Sequence, residues 1–188
     1  MKDYVISRNR FAQIIDDNTA PGTMGSRGIV CKLEDSRATL PSRAHPDDAG
    51  ADMFAWFSDK DIGNERFYLM NTDDGSFKES KYIIPPGGQI MVNTGVSMRI
   101  PSGYAGFLEA RSSQRSKGIT CLGTGIIDAS YRGNIKVVLH NTSYVNYEVF
   151  HGDKIAQLII QQVELVEFIN CWDEDTNRGV GGFGSTGK

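Results

Sequence analysis

From Ile83 onward the chain reads I-I-P-P-G-G-Q-I-M-V-N-T-G-V-S-M-R-I-P-S-G-Y-A-G-F-L-E-A-R, short β-branched and aromatic runs cut by proline and glycine. The pattern continues to Val166 at intervals too short for helices of ordinary length. Proline cannot donate to a central ladder and glycine marks turns, so such a chain folds as many short strands. The fold class it predicts is all-β, a jelly-roll or β-clip-like antiparallel barrel with at most one or two short helices. One helix fits near Lys117 or at the N-terminus, and nothing supports alternating β-α units.

The rest of the chain fits around this core. Residues 1–28 read as an N-terminal extension, in which Phe11, Ile14 and Ile15 suggest a short helix before the turn-rich P-G-T-M-G-S-R-G. Ile29 to Leu33 is a first strand, and a loop broken by Pro41 and Pro46 runs to Asp48. A strand at 49–56 carries Asp52 near its start. An insertion at 58–82 holds D-D-G (73–75) between two strand-like runs, the signature of a hairpin. The β domain spans 29–176. Residues 177–188 form a glycine-rich C-terminal arm whose five glycines between Gly179 and Gly187 cannot pack a core.

Composition excludes several classes. At 188 residues the chain is long enough for one domain with a proper core. A net charge of −3 and the lack of a basic stripe argue against a nucleic-acid polymer as partner. Apolar runs are strand-sized, which argues against a membrane span, and the first ten residues lack the apolar region of a signal peptide. Cys31, Cys121 and Cys171 read as reduced thiols, and His45, His140 and His151 fall in no metal-ligand spacing. A cytoplasmic, intracellular protein is expected. Trp56, Trp172, Met53 and Met91 read as core or interface packing.

Four segments carry chemistry. The stretch Gly123–Asn141, G-T-G-I-I-D-A-S-Y-R-G-N-I-K-V-V-L-H-N, places Asp128 three residues before Tyr131, and a rigid hairpin would fix the two relative to each other. Around Arg111, E-A-R-S-S-Q-R-S-K-G-I offers a guanidinium, hydroxyls and backbone amides suited to a phosphate chain. G-D-K-I-A-Q-L-I-I puts Gln157 on an apolar strand, where its amide needs partners. The arm adds Arg178, Phe183, Ser185 and Thr186. Together they supply what nucleoside triphosphate hydrolysis needs. Arg111, Ser112, Ser113 and the arm bind phosphate, Asp52 helps to hold Mg²⁺, and Asp128 takes a proton from water. Tyr131 and Phe183 give faces for sugar and base. No G-x-x-x-x-G-K-[ST] loop is present.

With A-G-A-D-M, A-R-S-S-Q-R-S-K-G, G-I-I-D-A-S-Y-R-G, G-D-K-I-A-Q-L-I and R-G-V-G-G-F-G-S-T-G in that order, the chain resembles the trimeric dUTPases over about residues 29–187. The resemblance implies a jelly-roll subunit in a threefold homotrimer, with sites shared between chains and dUTP cleaved to dUMP and pyrophosphate. It implies that Asp128 activates the water, that Tyr131 packs beneath the deoxyribose, and that main-chain groups of Gly125, Ile126, Ile127 and Lys136 read uracil. It implies Arg111, Ser112, Ser113 and Gln157 on the phosphates, and Asp52 orienting Mg²⁺ through waters. From a neighbouring chain, Phe183 would stack on uracil, with Arg178, Gly184, Ser185 and Thr186 towards the γ-phosphate. Two departures stand out. R-S-S-Q-R replaces the usual R-S-G-L-A and leans towards the related dCTP deaminases, but those use a Glu where this chain has Val138, with His140 its nearest polar neighbour. The segments 1–28 and 58–82 exceed what compact members need, and an unidentified protein partner through 58–82 is the rival reading.

Overall fold

The computed structural model describes residues 28–58, 61, 67–71, 77–122 and 125–171. The N-terminal extension up to Arg27, Trp172 and the arm with Arg178, Phe183, Gly184, Ser185 and Thr186 lie outside them.

Twelve strands and one short helix make up the described residues, and every strand pair is antiparallel. One sheet has the order β2-β12-β7-β9: Ala51–Phe54, Lys154–Gln162, Tyr104–Glu109 and Gly125–Ile127. A second runs β5-β10-β8, from Gln89–Asn93 through Lys136–Asn141 to Ile119–Cys121. A third runs β11-β4-β3, from Tyr147–Phe150 through Phe77–Ile84 to Phe67–Asn71. β1 (Val30–Leu33) pairs with β6 (Val96–Arg99). The helix α1 is Ser112–Arg115, close to the Lys117 position that the sequence allows. This is the antiparallel jelly-roll architecture expected. Within 58–82, β3 pairs with β4, which pairs in turn with β11, and the D-D-G turn at 73–75 lies outside the described residues.

Alternation drives the layering. In β10, Val137, Leu139 and Asn141 face inward while Lys136 faces out. The core gathers Met53, Ile84, Val92, Ile119, Ile135 and Leu139 among others. Asn141, fully buried, is satisfied: Nδ2 donates to the carbonyls of Ile84 (2.8 Å) and Val145 (2.7 Å), and Oδ1 accepts from Ser143. Gly95, at φ +67° between β5 and β6, has no room for a Cβ, which would lie 2.7 Å from the Trp56 ring. Trp56 is a packing residue, as expected. Its Nε1 donates to Asp35 at 3.0 Å and the Arg37 guanidinium stands 5.9 Å from its ring. Met53 is core, whereas Met91 is exposed on the outer face of β5.

One expectation fails. The 123–141 stretch is not a hairpin: β9 pairs with β7, β10 pairs with β5 and β8, and residues 128–135 cross between two sheets. β9 takes the free edge of β7, while both edges of β10 are occupied by β5 and β8. Gly125 and Gly133 are not at positive φ either.

Candidate active site

Three polar side chains line up across neighbouring strands. The register places Asp52 (β2) beside Gln157 (β12), and Gln157 beside Glu109 (β7). Directly paired antiparallel residues share a face, so the row is common to one side of the sheet. Leu158 and Leu108 face the other way, into the core.

Asp52 is the most enclosed of the three, its side chain 6% exposed. Its Oδ1 accepts from Arg111 Nε at 2.9 Å, and Lys154 Nζ lies 2.8 Å from Oδ2. Two cations on one buried carboxylate compensate its charge and aim Arg111 across β12. Arg111, in extended conformation, leads straight into α1, where Ser112 and Ser113 are exposed. The phosphate-binding residue types thus stand together at one corner: Arg111, Ser112 and Ser113 beside Asp52 and Gln157. Beyond α1 lies a cleft of about 450 Å³, bordered by Ser113, Gln114, Lys117 and Lys154. Gln114 in it is only 3% exposed, and both polar atoms of its amide are unpaired.

The loop after β9 is rigid in spite of having no hairpin partner. Tyr131 N donates to the Asp128 carbonyl at 3.0 Å and Tyr131 Oη to the Asn134 carbonyl at 3.0 Å. Arg132 Nη1 donates to the carbonyls of Ala129 and Tyr131. Gly133 lets the Tyr131 ring lie close over the backbone, and a Cβ there would displace the hydroxyl end of that ring. Asp128 and Tyr131 are both exposed. β9 is the last strand of its sheet, so one edge of the Gly125–Ile127 backbone faces no strand among the described residues. Lys136 opens β10, next to Asn93 of β5 and beyond the end of its ladder with β8.

These two groups are far apart in one chain. Ile127 is level with Gly106, so Asp128 stands beside Ala105, four positions along the ladder from the Asp52–Gln157–Glu109 row. β9 and β2 are the two outermost strands of their four-stranded sheet. At about 4.8 Å per strand and 3.3 Å per residue, the carboxylate and the Asp52–Arg111 pair are roughly 20 Å apart.

The dUTPase family profile matches residues 78–187. A deoxyuridine 5'-triphosphate nucleotidohydrolase of Thermobifida fusca is 39% identical across the whole chain and 93% of its own length. The chain belongs to the dUTPase family. The human mitochondrial deoxyuridine 5'-triphosphate nucleotidohydrolase is 34% identical over 97% of this chain and 77% of its own. Among solved structures, a Staphylococcus bacteriophage 80alpha dUTPase with dUpNHpp superposes with a TM-score of 0.65 and 25% identity, over 87% of this chain and all of that one.

Within this dUTPase-family chain, sequence reasoning did not single out Lys154, Glu109 or Arg115. Lys154 doubles the cover on Asp52, and Arg115 Nη2 lies 2.5 Å from Glu109 Oε2. The one available signal was alternation: Glu109 and Arg111 fall two apart at the end of a strand. At the position where a deaminase carries Glu, Val138 is half-buried on β10 opposite Met91, with no carboxylate on either. Cys121 is a bystander, its thiol pushed up to about 11 by burial and then by Glu109. Among the described residues no helix is long and apolar enough to cross a membrane.

Proposed function

We propose that the chain hydrolyses dUTP to dUMP and pyrophosphate, in a homotrimer whose sites combine residues of different copies. The observation that carries this reading is the split of the chemistry between two corners of one sheet, phosphate-binding residues at one and the Asp128–Tyr131 loop at the other. A base acting through one water must stand close to the α-phosphorus, much closer than roughly 20 Å. Threefold assembly brings one copy's acid to another's phosphate corner. Unsatisfied apolar surface supports the assembly. Leu165, Val166, Phe168 and Ile169 follow β12 in the open, Phe168 being 94% exposed. An apolar groove of about 470 Å³ beside β1, lined by Ile29, Leu40, Met98 and Ile160, could receive such a segment from a neighbour.

In this mechanism Asp128 accepts a proton from water as its oxygen attacks the α-phosphorus. The bond from that phosphorus to the bridging oxygen breaks, and pyrophosphate leaves with the electron pair. Tyr131, braced by Asn134 and Gly133, packs under the deoxyribose and leaves no space for a 2′-hydroxyl. The open edge of Gly125, Ile126 and Ile127, with the Lys136 main chain, matches the donors and acceptors of uracil. Arg111, Ser112, Ser113 and Gln157 hold the phosphates. From a neighbouring copy the arm, 177–188, closes the site, with Phe183 on the base and Arg178, Gly184, Ser185 and Thr186 at the phosphates.

The donor set fits a metal that arrives with the triphosphate. Among the described residues no three His, Cys, Asp or Glu side chains are grouped to hold an ion, and Mg²⁺ retains waters and favours phosphate oxygens. Asp52 would orient it through water, because Arg111 and Lys154 occupy both carboxylate oxygens. Bound Mg²⁺ neutralises phosphate charge and aligns the chain for in-line attack.

The test is a product assay with Mg²⁺ on dUTP, dCTP, dTTP and UTP, reading pyrophosphate and ammonia together, with Asp128→Asn as control. Pyrophosphate from dUTP alone, lost in the control, is the expected result. Ammonia from dCTP, or equal turnover of UTP, would contradict it.

A further inference from the structure

Arg115 leaves the end of α1 and turns back along the chain. Its Nε donates to the Ala110 carbonyl at 3.2 Å, and its Nη2 lies 2.5 Å from Glu109 Oε2. That carries the guanidinium to the Glu109 end of the Asp52–Gln157–Glu109 row, while Arg111 covers the Asp52 end. Two guanidiniums therefore bracket Gln157.

The two pairs differ in how tightly they are committed. Asp52 is enclosed, whereas the Arg115 and Glu109 side chains are 57% and 36% exposed. An exposed pair gains little from its own attraction, so either partner is released at small cost. A guanidinium has five N–H donors, and these contacts leave most of the fork open. Phosphate oxygens are strong acceptors that match that fork. Glu109, once released, returns to water.

Resting on the nucleotide reading of the site, we propose that Arg115 is a further phosphate-contacting residue, held ready by Glu109 and transferred to the triphosphate when it binds. Glu109 is then a latch, and removing it favours the ligand. The rival role, a tether that merely holds the four-residue α1 against β7, makes the opposite prediction for Glu109.

The experiment is calorimetric titration of the full-length protein, with Mg²⁺, using non-hydrolysable dUpNHpp and dUMP in turn. Arg115→Gln is expected to weaken dUpNHpp about tenfold, the worth of one charge-assisted contact, with a much smaller effect on dUMP. Arg115→Lys, which keeps the charge and loses the fork, falls between. Glu109→Gln tightens dUpNHpp by about threefold or more, and Arg115→Gln in the same chain abolishes that gain. Equal losses for both ligands in Arg115→Gln, or weaker dUpNHpp binding in Glu109→Gln, would overturn the latch. Should wild-type protein fail to take dUpNHpp, the nucleotide reading falls and the latch with it, a failure already visible before any variant is made.

Discussion

Asp52 and Asp128 are two carboxylates with opposite duties. Asp52 balances Arg111 and Lys154 in a buried corner, so Asp52→Ala leaves two cations facing each other. The expected loss of stability is about 2–3 kcal/mol by urea unfolding, below that of a fully enclosed pair because both cations are partly exposed. Asp128, exposed, supports little structure. Asp128→Asn should leave the unfolding midpoint in place and lower kcat by about 10²–10⁴-fold. Gln114 points to a third outcome: with both amide atoms buried and unpaired, Gln114→Leu should raise stability by about 1–3 kcal/mol in the same unfolding assay. The chemistry-bearing residues were legible as residue types at characteristic positions. Their partners were not: Arg111 and Asp52 are 59 positions apart, and only the fold reveals that they meet.

At the scale of elements, β1, β2 and the strands of the 58–82 insertion could be read from apolar alternation and turn residues, whereas the pattern allows a helix either near Lys117 or at the N-terminus. The hairpin that the 123–141 stretch suggests does not form: local pattern shows where strands lie and not which strand each one pairs with. β7 and β5 compete for those edges from a distance, and their apolar faces win. The β3–β4 hairpin touches the sheet through Lys81–Ile84. Replacing 62–78 by a short turn keeps those rungs, and turnover of dUTP is expected to stay within about twofold. A pH effect belongs to the turn after β1. Arg37, then Trp56, hold the Asp35 carboxyl below the usual carboxylate range. A lowered pKa adds stability that is present above the ordinary carboxylate value and lost as pH falls through the lowered one. Asp35→Asn should therefore destabilise at neutral pH, with the gap to wild type closing under strong acid, as followed by Tm.

For the whole molecule, the proposed site needs the Asp128 loop and the Arg111 corner together, and within one chain they stand roughly 20 Å apart. Sequence resemblance implied that arrangement, and the sheet register gives it a physical basis in the separation of Asp128 from Arg111. The open apolar segment after β12 belongs to the same logic, since it is costly in a monomer and useful in an assembly. The direct test is complementation. Asp128→Asn and Arg111→Ala chains, each inactive alone, are unfolded together, refolded as mixed assemblies and assayed with dUTP. If each site takes its acid from one chain and its phosphate cluster from another, random mixing restores about a quarter of wild-type activity. If acid and cluster serve within one chain, no mixed assembly contains a complete site, and activity staying at the level of the separate variants would contradict the account.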